Sequence, residues 1–229
     1  MSLKLNITVS NISLTQRLNQ CIEQRRLPYR IKHRLGGFHT LPDFIIIGGQ
    51  KCGTTTLYDF ICRHPNVHRA DQKEMHFFST RYHKGIDWYR SRFPLHLLRV
   101  VARYRGLPWL TGEATPNYLS AAYPSQFPLS PNTKVHAGRV ARRVRQFIPD
   151  VKLIVLLRDP VDRAYSQWRM YRRWEREDRS FGEAIRAPKA QRGFTYLVNG
   201  TYAEHLKVWM RYFPDDQFHM IQSEVFRRA

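Results

Sequence analysis

The segment from Phe44 to His64 limits the possible folds of this chain more than any other. Phe44-Ile45-Ile46-Ile47 is a short, largely β-branched apolar run with no residue suited to face water, the pattern of a strand buried on both sides. Gly48-Gly49 stops it. Thr54 to His64 then carries Leu57, Phe60 and Ile61 at helical spacing, with Thr54 or Thr55 able to cap the start and Pro65 beyond the end. The connecting turn reads Gly48-Gly49-Gln50-Lys51-Cys52-Gly53-Thr54-Thr55-Thr56. A strand that passes through such a turn straight into a helix aims backbone N–H groups and the positive helix end at one point, which suits phosphate.

Further units follow the same order. Val135 opens a helix whose Val140, Val144, Phe147 and Ile148 form an apolar stripe, opposite Arg139, Arg142, Arg143 and Arg145, which read as a solvated basic face. Val151 to Leu157 is a second apolar run, followed by Arg158-Asp159-Pro160 and a helix from about Val161 into Arg173. Tyr202 to Phe213 fits a helix and Phe218 to Gln222 a short strand. Strands alternating with helices predict an α/β fold, a P-loop-type three-layer arrangement with a central parallel sheet flanked by helices. Ligands of such sheets bind beyond the carboxyl ends of the strands.

The loop departs from the ATP-binding form GxxxxGK[ST]. Gly48 and Gly53 keep the spacing, but Thr54 stands at the lysine position and the lysine comes earlier, at Lys51. An ordinary ATPase or GTPase is therefore disfavoured. In this form the chain resembles the sulfotransferases that use 3′-phosphoadenosine 5′-phosphosulfate (PAPS), in particular the heparan sulfate N- and 3-O-sulfotransferase branch and its bacterial relatives. The resemblance runs from about Pro42 to Phe226, with residues 1–40 as an N-terminal extension, partly helical, and 41–229 as the domain. It implies that Gln50, Lys51, Cys52, Gly53, Thr54 and Thr55 bind the 5′-phosphosulfate. It also implies that Arg158, at a strand end, and Ser166, eight residues later on the next helix, grip the 3′-phosphate. An arginine fork and a nearby hydroxyl suit phosphate oxygens.

Lys73-Glu74-Met75-His76-Phe77-Phe78 resembles the family segment that carries the general base. The resemblance places Glu74 at the base and His76 at a neighbouring histidine, whereas the residues alone read as a strand edge with one exposed face. Sulfuryl transfer needs an acceptor oxygen or nitrogen stripped of its proton as it attacks in line, and charge stabilisation on the departing oxygen, here assigned to Lys51. No metal is required. Tyr82 to Tyr89, Gly112 to Leu119 and Gly200 to Leu206 have family counterparts that shape the acceptor cleft and the core. Two positions depart: Ser79 replaces a carboxylate of the 3-O-sulfotransferases, and Ala114 replaces the lysine of their Glu-Lys-Thr-Pro segment. The chain also ends at Ala229, soon after the last predicted strand, where family members continue into a loop over the 3′-phosphate side; either the sequence is truncated there or the cofactor site is more open and the activity weak.

Charge agrees with an anionic ligand without naming it. Lys and Arg total 38 against 18 Asp and Glu, a formal net charge of +20, so the surface field favours nucleotides, polyanionic sugars, anionic lipid or nucleic acid alike. No zinc-finger or RNA-recognition pattern accompanies it, and no specific nucleic-acid partner is expected. Cys21, Cys52 and Cys62 cannot all pair within one chain and form no zinc spacing, so reduced thiols are expected. No run approaches the roughly 18 apolar residues of a membrane span, and no signal-peptide order opens the chain; a cytoplasmic protein follows. The triplets at Asn6, Asn11 and Asn199 would matter only in a secretory lumen. The expected function is sulfuryl transfer from PAPS to a hydroxyl or amine of a carbohydrate or small molecule. The alternative is a weak or inactive relative that binds nucleotide or glycan without turnover.

Overall fold

The structure, a computed structural model, describes residues 36–120, 137–186 and 193–228. The extension up to residue 35, with Asn6, Asn11 and Cys21, and the Val135 helix start lie outside the described residues. In chain order the described elements are β1 (Phe44–Gly48), α1 (Thr54–Ile61), β2 (Val67–Arg69), α2 (Ile86–Arg90), α3 (His96–Tyr104), β3 (Leu110–Ala114), α4 (Ala137–Phe147), β4 (Lys152–Leu157), α5 (Pro160–Arg173), α6 (Phe181–Arg186), α7 (Gly193–Val198), α8 (Tyr202–Trp209), β5 (Phe218–Gln222) and α9 (Ser223–Phe226). Among them, no helix is long and apolar enough to cross a membrane.

The strands form one parallel sheet in the order β2-β3-β1-β4-β5. Its layers follow from the two-residue period of a strand. Ile45 and Ile47 of β1 join Leu153 and Val155 of β4 in a core with Val140 and Val144 of α4 and Trp209 of α8. Phe44 and Ile46, on the opposite face, join Leu156 in a core with Leu57 and Tyr58 of α1. Helices thus cover both faces, which is why β1 reads as an unbroken apolar run. Ile45, Ile46 and Ile47 are each 0% exposed, and full burial of such a side chain contributes roughly 1.5–3 kcal/mol.

Two helices stop earlier than their patterns predict. Beyond Ile61 the amides of Arg63 and His64 bond to carbonyls three residues back, so the chain tightens into turns instead of continuing α1 to His64. Beyond Trp209 the Tyr212 amide does the same. Strands β2 and β3 are not evident in the sequence. Val67-His68-Arg69 is too short to show a period, and β3 carries Gly112 and Glu113 in its interior.

Glu113 is 0% exposed on a strand beside β1. Hydroxyl donors make that tolerable: Tyr89 donates to its carboxylate at 2.6 Å, Thr115 at 2.6 Å and Tyr118 at 3.5 Å. Desolvation still dominates and pushes the carboxyl up to about 7.

The connections place a ligand crevice. The chain leaves β1 through α1 toward β2 on one side, and leaves β4 through α5 to α8 toward β5 on the other. The directions diverge between β1 and β4, so the open crevice lies at their carboxyl ends. The turn after β1 closes through Gly53, the N-cap of α1, whose φ of 98° is left-handed.

Three stability predictions follow, two at glycines and one at Glu113. Gly53→Ala should lose about 1–2 kcal/mol in urea unfolding, because a Cβ disfavours left-handed φ. Gly182→Ala, inside α6 with nothing within 4 Å of the added Cβ, should be neutral or gain up to about 1 kcal/mol. For Glu113 the folded state holds a proton, between the ordinary 4.5 and about 7, that the unfolded chain releases. Its contribution is therefore fully present below the unfolded value and is lost as pH rises through that window. Relative to Glu113→Gln, the wild type should lose on the order of 3 kcal/mol of unfolding free energy between about pH 4.5 and pH 7.5. A difference that does not change with pH would contradict the raised value.

Candidate active site

The loop after β1 is tied down from three directions. Gly49 N–H donates to Leu156 O of β4 at 2.7 Å, Cys52 N–H donates to Gly49 O at 3.2 Å, and the buried Ser223 hydroxyl donates to Cys52 O at 2.7 Å. A Cβ on Gly49 would lie 3.0 Å from Cys52 Sγ and 3.2 Å from Leu156 O, so the approach to β4 depends on that glycine. The Cys52 side chain points away from the loop mouth into the α1-side core, and burial pushes its thiol pKa up. Only its backbone is placed to meet a ligand. The Gln50 amide accepts from Asn199 at 3.3 Å, and Asn199 in turn accepts from the Ser120 hydroxyl at 2.8 Å. Asn199 is buried, so its glycosylation triplet is closed off. No side chain caps the α1 N-terminus, which leaves its first amides for an anion.

Arg158 follows β4 directly. Asp159 caps α5 by accepting from the Val161 and Asp162 amides at 2.9 Å, with Pro160 at the first helical position. That cap aims α5 past the loop. Arg158 Nη1 donates to Lys51 O at 3.4 Å and Nη2 to Asp162 at 3.3 Å, while its Nε–H is buried without a partner. Along α5, Ser166, Met170 and Arg173 share one face by helical period. Lys51 Nζ lies 3.6 Å from Met170 Sδ, so this is the face turned to the loop, and Ser166 is on it.

Lys51 sits in a predominantly cationic surrounding. Burial lowers the Lys51 pKa, and the nearby charges of Arg173 and then Arg158 lower it further, with only Glu74 opposing. Three cations converge at the β1 and β4 ends around backbone N–H groups. An arrangement of that kind is relieved by a polyanion, and the unpaired Arg158 Nε supplies a donor for it. The residues present therefore fit a phosphate-bearing ligand.

Glu74 and His76 do not lie on a strand edge. They sit in a turn with φ of 58° and 51°, pinned by Glu74 N–H donating to Ala114 O of β3 at 2.9 Å. Glu74 Oε2 lies 3.8 Å from His76 Nε2, and the Lys73 ammonium lies 3.1 Å from Glu74 Oε1. Burial lowers the His76 pKa, partly offset by Glu74, so the imidazole is neutral at pH 7. The far end of the turn is also held: Phe78 N–H donates to Tyr118 Oη at 3.3 Å, and Arg143 donates to the carbonyls of Phe78 and Ser79 at 2.8 and 3.1 Å. Arg143 thus departs from the solvated face expected of its helix. Its guanidinium also stacks on Tyr82, 3.9 Å from the ring centroid.

The structure brings the loop of residues 51–55 and Arg158 together, with Ser166 on the α5 face turned to the loop and Glu74 joined to Thr55 through Lys73. Ser79 and Ala114 are buried beside that turn. Trp88, Tyr89 and Tyr118 lie in the core. Lys73, Arg173 and Glu113 were not evident as site residues. Arg173 could have been found by extending the helical period from Ser166, whereas the Glu113 contacts come from residues distant in sequence.

The chain is similar to known proteins over most of its length. It is 32% identical over 203 residues to human bifunctional heparan sulfate N-deacetylase/N-sulfotransferase 3, covering 82% of this chain and 20% of that protein. It is 33% identical over 193 residues to mouse heparan sulfate glucosamine 3-O-sulfotransferase 3B1, covering 82% of this chain and 43% of the relative. The chain thus spans about a fifth of the first relative's length and under half of the second's. The crystal structure of a sulfotransferase from Alicyclobacillus acidocaldarius superposes with a TM-score of 0.59 at 27% identity, covering 83% of this chain and 76% of that one. The sulfotransferase domain family matches residues 41–228, the whole of the sheet and both halves of the crevice, and the chain belongs to that family.

Proposed function

We propose that this protein transfers a sulfuryl group from PAPS to a hydroxyl or amine of a carbohydrate acceptor. The observation that carries the reading is the meeting of two anion-binding strand ends, the β1 loop and Arg158, in one crevice with a carboxylate at its edge. PAPS supplies an activated sulfuryl group on a 5′-phosphate together with a separate 3′-phosphate. The loop amides, the α1 N-terminus, Thr54, Thr55 and Lys51 hold the 5′ end. Arg158, through its free Nε–H, and Ser166 hold the 3′-phosphate.

Glu74 removes the acceptor proton as the acceptor–sulfur bond forms and the bond from sulfur to the 5′-phosphate oxygen breaks. Lys51 balances the charge left on that oxygen. The named relatives act on heparan sulfate, which supports a carbohydrate acceptor. With Ala114 and Ser79 in place of a lysine and a carboxylate, a heparan-type chain would find fewer polar contacts here. The reading places the reaction in the cytoplasm, where the free thiols of Cys52 and Cys62 stay reduced.

Mass spectrometry of glucosamine-containing oligosaccharides incubated with PAPS should reveal a sulfonate increment on a hydroxyl or amine. With that acceptor at saturation, Glu74→Gln should lower turnover by roughly a hundred- to ten-thousandfold with cofactor affinity nearly unchanged. His76→Ala should cost less. A Glu74→Gln enzyme with near-normal turnover beside an inactive His76→Ala would move the base to the histidine. Nucleotide binding without sulfation of any acceptor would favour a binding-only protein.

A further inference from the structure

Lys73 touches both halves of the proposed site. Its Nζ lies 2.6 Å from Thr55 Oγ1, in the first turn of α1, and 3.1 Å from Glu74 Oε1. Lys51 occupies the other side of the loop, with its ammonium against Met170 of α5 and in the field of Arg173 and Arg158. The two lysines thus approach the loop from different partners, and the one in direct contact with Glu74 is Lys73.

We propose that Lys73 is a second cofactor-contacting cation, which binds the 5′ end of the nucleotide between Thr55 and Glu74. The proposal rests on the PAPS reading and adds a residue to it. An ammonium has three donors and no acceptor, and the two contacts seen leave one N–H for a further oxygen. Thr55 Oγ1, by accepting from Lys73, leaves its own O–H free to donate to the same ligand. The ammonium also separates two anions, the Glu74 carboxylate and a 5′-phosphosulfate, which would otherwise repel at close range. Its side chain is 24% exposed, open enough for a ligand to reach and shielded enough for the charge to act.

Calorimetric titration with adenosine 3′,5′-bisphosphate and with adenosine 3′-monophosphate, which lacks the 5′-phosphate, isolates this contact. Lys73→Met keeps the side-chain length without the charge. It should lower affinity for the bisphosphate roughly 10- to 100-fold and leave the monophosphate unchanged. Lys73→Arg should restore most of the loss. Wild-type affinity of Lys73→Met for both nucleotides, while Lys51→Ala loses the bisphosphate, would overturn the role of Lys73 and leave the PAPS reading intact. An equal loss for both nucleotides would also overturn it, by making Lys73 a support of the fold. Failure of the wild type to bind the bisphosphate would remove both proposals together.

Discussion

The pairing of β1 with β4 is the interaction on which the rest of the site depends. It runs in register from Phe44 with Lys152 through Ile46 with Ile154, and the bond from Gly49 N–H to Leu156 O carries it past the end of β1 into the loop. Because both strands end together, the turn that begins α1 and the turn that begins α5 open at the same level. Loop amides and Arg158 then face one crevice, although more than a hundred residues separate them in sequence. Residues facing inward from both sheet faces fix that register, since a one-residue slip would exchange the α4-side and α1-side cores.

Electrostatics then decides what the crevice can take. Lys51 is held near Arg158 and Arg173 by elements whose positions are set by packing, and burial together with those two charges lowers its pKa. A polyanionic ligand would restore favourable surroundings for that ammonium. The Glu74–His76 turn sits against β3, where Ala114 O, Tyr118 and Arg143 hold its backbone. Glu74, the proposed base, is thus placed by backbone and core contacts and stays accessible at its carboxylate, which is half exposed. The buried Glu113 lies behind it and ties β3 to Tyr89 of α2.

Much of this was legible in the sequence because it rests on short-range patterns. Phe44 to Ile47, Val151 to Leu157 and Phe218 to Gln222 read as strands, and the glycine turn and the Asp159-Pro160 helix start are local signals. The phosphate-loop context followed from these, whereas the roles of Arg158 and Ser166 came only from the family resemblance. What could not be read depends on contacts across the chain. Strand β3 hides behind a charged residue whose burial is allowed by Tyr89, Thr115 and Tyr118, and nothing local to Glu113 announces all three. Arg143 looked like its neighbours Arg139 and Arg142 until the carbonyls of Phe78 and Ser79 came to rest beside it. The turn at Glu74 and His76 requires left-handed backbone at two residues that do not favour it, so sequence suggested extended structure there. Lys73 drew no notice because its partner Thr55 belongs to a different element.

The central claim is that the β1 and β4 ends together bind a nucleotide carrying phosphates at both its 3′ and 5′ positions. Thermal unfolding with adenosine 3′,5′-bisphosphate and with ATP tests it most directly, because a ligand selective for the folded state stabilises by about 2.7 kcal/mol at one hundred times its dissociation constant. The account predicts a clear rise in Tm with the bisphosphate and a much smaller one with ATP at equal concentration. Equal shifts with the two nucleotides, or none with either, would contradict it.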